Sequence, residues 1–173
     1  EMGKITNKTG PMRLGNVVIP AKASKKVEMS MNLDSRSEVL KFDPKNPENT
    51  ANYSNSIVVY DNIGTARLVT VYFNRVQGGN WDYRIAIDGS EAAGGKPGEL
   101  AVMQQGKLIF SPKGTLQEEV VSQNSFNFNK GAGANQQIEF NFGKSTKEGG
   151  NGTDASTQFG SNSTIHRHTQ DGA

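Results

Sequence analysis

The sequence of 173 residues contains no cysteine. Disulfides therefore do not hold the fold, and thiolate nucleophiles and thiolate-ligated zinc are excluded. An excess of charge of either sign is also missing. Nineteen Lys and Arg face 17 Asp and Glu, a net charge of +2, and the basic residues are scattered rather than clustered. Such a balance gives no electrostatic footprint for nucleic acid or an anionic membrane. No apolar run approaches the roughly 20 residues of a membrane-spanning helix. The opening "EMGKITNKTGPMRL" lacks the apolar centre of a signal peptide. The chain is expected to be an excerpt of a longer protein. Amphipathic helical periodicity is absent throughout.

What is present favours strands and turns: 20 Gly, with many Asn, Ser, Thr and Val. Residues 1–23 are polar and punctuated by Gly and Pro, with one short apolar piece, "NVVIP", as a possible strand. "KVEMSMNLDS" then alternates, with Val27, Met29, Met31 and Leu33 on one face and Glu28, Ser30 and Asn32 on the other. A Pro- and Asn-rich loop spans residues 42–56. The stretch "SIVVYDNIGTARLVTVYF" follows as a hairpin whose turn residues are Asn62 and Gly64. A second reversal at Gly78 and Gly79 leads into "WDYRIAID", which makes an antiparallel meander. After a Gly-rich excursion at 89–106, "KLIFSPKGTLQEE" reads as another hairpin, with Pro112 and Gly114 in a type I pattern. "SFNFN" and "QIEFNF" add two further alternating pieces.

The expected fold is mainly β: an antiparallel sandwich or flattened barrel of about seven strands, with irregular Gly-rich flanks. Its expected core comprises Val58, Tyr60, Val69, Val71, Phe73, Trp81, Tyr83, Ile85, Ile138, Phe140 and Phe142. Outward positions are Glu28, Ser30, Asn32, Asp82, Arg84, Glu139 and Asn141.

Chemical motifs are weak. "GKST" at 143–146 is the tail of a phosphate-binding loop, but Ile138 stands where that motif needs Gly, and "KEGGNGTD" makes a poor helix. His166 and His168 share a strand face without a well-spaced third ligand. Asp34, Glu38 and Asp43 surround a loop, and Glu118 and Glu119 point to opposite sides of a strand. Neither set resembles an acid–base pair. Trp81, Tyr60, Tyr72 and Tyr83 form a conceivable platform for a sugar, and a secreted carbohydrate-binding sandwich is the alternative function. No catalytic, cofactor-binding or metal residues are assigned.

The order of the motifs carries more than their chemistry. "STQFGSNSTIHRHTQDG" at 156–172, with a "TQFGS" element before "TQDG", resembles a signature of the bacterial flagellar hook protein family. The "V-Y-D-x-x-G" turn, "VYF" and the following "NW" fit the same pattern, as do "MNLDS" and "KLIFSPKGTL". This resemblance implies a structural subunit of the hook, the curved tube acting as a universal joint between motor and filament. It implies export through the flagellar type III channel without a cleaved signal peptide, and an extracellular location. The implied partners are other hook subunits and, during assembly, the hook cap, with no cofactor, nucleic acid or membrane partner. Residues 24–143 would form an outer domain inserted between segments 1–23 and 144–173 of an inner domain, bringing the two ends together. The fragment alone is expected to be monomeric.

Overall fold

A computed structural model describes residues 20–151 and 154–173. The possible strand at 16–20 and the segment 1–23 fall outside the described residues up to position 19. The elements are β1 (Lys26–Asn32), a one-turn helix α1 (Pro47–Thr50), β2 (Tyr53–Tyr60), β3 (Ala66–Arg75), β4 (Trp81–Asp88), β5 (Leu100–Phe110), β6 (Leu116–Asn124), β7 (Glu139–Asn141) and β8 (Thr164–Gln170). Two sheets form: a five-stranded meander in the order β2-β3-β4-β5-β6, and a three-stranded sheet in the order β7-β1-β8. The architecture is thus a β-sandwich, with eight described strands. One pair, β1 with β7, is parallel; the other pairs are antiparallel.

Alternation explains the inner faces. In β1, Val27, Met29 and Met31 are buried. In β3 and β4, Val69, Val71, Phe73, Trp81, Tyr83 and Ile85 are buried in the same layer. Ile138, Phe140 and Phe142 cover them from the far side, with the Phe142 ring 4.9 Å from Tyr83 and 6.0 Å from Phe73. Each of these large side chains removes roughly 1.5–3 kcal/mol worth of apolar surface from water.

Val58 and Tyr60 depart from the expected core. Val58 is 41% exposed and Tyr60 is half-buried, while Ile57 and Val59 point inward. The run Ile57–Tyr60 is apolar at every position, so its sequence carries no phase. Pairing sets the phase instead: Ile57 faces Val69, an inward residue, whereas Val58 faces Leu68, an outward one. Directly paired residues share a face. Asn32 also departs, being buried rather than outward.

Two hairpins are closed by the same device. In each, the fourth turn residue is a glycine with positive φ: Gly64 at +82° and Gly114 at +87°. The first residue's side chain accepts from two backbone N–H groups. Asp61 Oδ1 accepts from Ile63 (3.0 Å) and Thr65 (2.9 Å); Ser111 Oγ accepts from Lys113 and Thr115, both at 3.3 Å. Asn62 lies within its turn, but only Gly64 there has positive φ. Pro112 occupies the second turn, and Gly78 and Gly79 turn β3 into β4 through a short 3₁₀ segment. The second half of the Gly-rich excursion is strand β5.

Residues 144–173 do not leave as a separate body. β8 pairs with β1, and Ala155 joins the core, so no boundary at 143 divides the described residues. Lys22 and Ala173 lie side by side: Lys22 N–H donates to Ala173 O at 3.0 Å and Ala173 N–H to Lys22 O at 2.8 Å.

The face assignment of β2 is testable by urea unfolding of the chain. Val59→Ala is expected to cost about 2 kcal/mol and Val58→Ala no more than about 0.5. Equal losses would contradict the assigned phase.

Candidate functional site

The strongest polar node is internal. Arg67 stands in phase with Val69 and Val71 and is only 2% exposed. A buried guanidinium must find partners for its donors. Nε donates to Asp61 Oδ2 at 2.9 Å, Nη1 to Asn129 Oδ1 at 2.9 Å and Nη2 to the Asn129 carbonyl at 2.8 Å. Glu91 Oε1 lies 3.4 Å from Nη1, and the Phe128 ring stacks 5.3 Å away. One side chain thereby joins the β2–β3 turn, the segment after β4 and the loop after β6. The signal for it was legible as a charge at an inward strand position.

A second node explains buried Asn32. Its Oδ1 accepts from Thr157 Oγ1 (2.9 Å) and Phe159 N–H (2.8 Å). Its Nδ2 donates to Ser161 O at 3.1 Å. The "TQFGS" element is thus bonded to the end of β1. Gln158 extends the link, accepting from Trp81 Nε1 at 2.8 Å.

The motifs weighed from sequence find structural roles. In "GKST", Ser145 caps a short 3₁₀ turn reciprocally with Glu148, whose carboxyl is held below its ordinary range by that hydroxyl. Gly143 is packed so tightly that a Cβ would lie 2.5 Å from Ala155 Cα. His166 and His168 are exposed on β8, and His166 occupies a bulge opposite Ser30 and Met31. Asp34 pairs with Arg36, which holds its carboxyl down to about 2; Glu38 and Asp43 do not join them. Trp81 and Tyr83 are fully buried while Tyr72 lies on the other face, against Phe42 at 5.6 Å. The four aromatics therefore make no common platform, and the carbohydrate-binding alternative loses its residues.

Among the described residues, Glu119 is the carboxyl shifted upward. Burial raises it from 4.5 to about 7, opposed by the hydrogen bond from Tyr83 and reinforced by Glu148 and Glu139. Tyr83 OH donates to Glu119 Oε2 at 2.9 Å and accepts from Gln104 Nε2 at 3.1 Å. Burial also pushes the Tyr83 phenol upward. Gly106 makes room for that ring, since a Cβ there would meet the Tyr83 hydroxyl at 2.7 Å.

The surface that remains available is the outer face of the five-stranded sheet. Val58 and Leu68 face each other there, 41% and 55% exposed. Beside them is a groove of about 320 Å³ between residues 44–47 and 98–100. Elsewhere the outward positions Glu28, Ser30, Asp82, Glu139 and Asn141 present polar groups.

The comparisons with known proteins agree with each other. The family model described as the flagellar basal body protein FlaE D2 domain matches residues 32–173. The flagellar hook proteins FlgE of two Helicobacter pylori strains, 26695 and J99, are each 31% identical over 96 residues, 55% of this chain. The chain spans 13% of the length of those relatives. Among solved structures, a 32 kDa fragment of the flagellar hook protein FlgE from Caulobacter crescentus matches with a TM-score of 0.54 at 13% identity. That match covers 74% of this chain and 50% of the fragment, and shows a shared fold.

Glu119 generates a pH prediction. Between about pH 4.5 and 7 the folded chain holds a proton on Glu119 that the unfolded chain has released, so stability falls as pH rises through this window. Glu119→Gln is expected to flatten that decline and to unfold at equal or higher temperature at pH 8. Thermal melts from pH 4 to 8 with an undiminished slope in the variant would contradict it.

Proposed function

As this chain belongs to the flagellar basal body protein FlaE D2 domain family, we propose that it is the outer structural domain of a flagellar hook subunit and catalyses no reaction. The observation that carries this reading is the family match across residues 32–173. The adjacency of Lys22 and Ala173 supports a unit inserted into an inner domain, with its two connections side by side. Its partners are further hook subunits and, during growth, the cap; its location is the extracellular hook, reached without a cleaved signal peptide. Alone, the fragment is a monomer.

The mechanism follows from what a universal joint demands. As a curved tube rotates, each lateral contact opens and closes once per turn. A large dry apolar interface resists such rearrangement, so each contact must be small and wet, below about 1,200 Å² per pair. Many weak contacts along a tube still sum to a stable assembly. The outward polar residues supply such contacts, while the packed core keeps each subunit from deforming.

Cells whose full-length protein carries Glu28→Leu, Asp82→Leu or Glu139→Leu are expected to form hooks yet to swim poorly in a motility assay. Unchanged swimming in all three single variants would count against sliding polar contacts.

A further inference from the structure

We propose that the outer-face groove of one copy receives strand β8 of a neighbouring copy, with Arg167 seated among the groove's carboxylates. This deepens the hook reading and rests on it, because a second copy is at hand only in an assembly. The first observation is the Val58–Leu68 pair. The solvent face of an antiparallel sheet is ordinarily polar, and here an apolar cross-strand pair that no described residue covers extends the apolar floor of the groove beside it. The second is the groove beside it, with Leu68 and Ala86 on its floor, Pro44 and Pro47 on its wall and the carboxylates of Asp88 and Glu99 at its rim, next to Glu91, whose Oε1 already lies 3.4 Å from Arg67 Nη1. Asp88 is fixed as a carboxylate by hydrogen bonds from Ser90. Lys45 is the single cation among the described lining residues.

The occupant is indicated by charge. β8 presents His166, Arg167 and His168, all exposed, and its outer edge has no strand partner among the described residues. Arg167 makes only a loose surface pair, 3.6 Å from Glu28, which is exchangeable at little cost. Its apolar stem suits the Leu68 floor and its planar head the carboxylate rim. An acidic rim repels anionic membranes and polymers, which leaves a basic protein segment as the fitting ligand.

Geometry makes the contact propagate. The groove opens on the outer side of the five-stranded sheet, whereas β8 belongs to the opposite layer. No copy fills its own groove, so each offers one half of the contact to a different neighbour. Such head-to-tail contacts generate rings where the rotation between copies closes and open helical arrays where it does not, the second being what a tube requires.

This chain contributes no cysteine of its own, and any cysteine elsewhere in the full-length protein is first replaced by serine, so that only introduced thiols react. In the full-length protein, Lys45→Cys on the groove wall with Thr169→Cys on β8, which leave Arg167 and Glu99 in place, is expected to give a ladder of disulfide-linked subunits when assembled tubes are oxidised. The control pair Lys113→Cys with Thr169→Cys is expected to give none. Arg167→Glu should raise the critical concentration for assembly roughly tenfold, and adding Glu99→Lys should restore it to within about twofold. Tubes that form normally but give no ladder, or give one with both pairs, overturn this contact and leave the hook reading standing. Failure of the parent protein to assemble at all overturns both.

Discussion

The ion pair of Arg67 and Asp61 is the constraint on which the rest depends. Withdrawing two charges from water costs several kcal/mol per ion, and their attraction repays this only with good geometry and further hydrogen bonds. The structure supplies both. Asp61 spends one oxygen on the turn amides and the other on the guanidinium. Arg67 reaches Asn129 with both terminal nitrogens. Such an arrangement adds little net stability over an apolar replacement, but it tolerates very few loop conformations. It defines where three loops sit at one end of the sandwich. One of those loops leads from Glu91 to the groove rim at Glu99, so the outer face inherits its shape from a buried charge.

Asn32 does the corresponding work at the other end. An amide has donors and acceptors to spend in several directions at once, and Asn32 spends them on a segment more than a hundred residues away in sequence. The "TQFGS" element is thus a latch that returns the chain to β1, and Gln158 carries the same latch to Trp81. Between the two nodes lies a core of interleaved aromatic and aliphatic side chains. Together they tie both ends of the sandwich to its core, which suits a subunit if all movement is to occur between copies.

The legible parts of the fold were those where polar and apolar residues take turns. β1, β3 and β4 announce their inward faces because Glu28, Thr70, Asp82 and Arg84 mark the outward ones. β2 is the counterexample: four apolar residues in a row fix no phase, and its face is decided by the partner strand. β8 reads as polar at nearly every position, and it is a strand only because β1 offers it an edge. Arg67 was visible as an anomaly in an inward register, but its partners at Asp61 and Asn129 come from separate loops and are set by tertiary packing. Asn32 was misplaced for a related reason, since alternation ends where a side chain turns back to bond a distant loop. The exposed face of Val58 and Leu68 was hidden in the same ambiguity that obscured β2.

Amide hydrogen exchange on the folded chain tests the central claim most directly. Ile63 and Thr65 lie at the tip of a hairpin, where amides ordinarily exchange through local fraying. If the buried pair locks that tip to the core, their amides will exchange only as slowly as those of Val69 and Ile85, at the rate of global unfolding. Exchange of Ile63 and Thr65 orders of magnitude faster than the core strands would mean that the pair does not organise the domain.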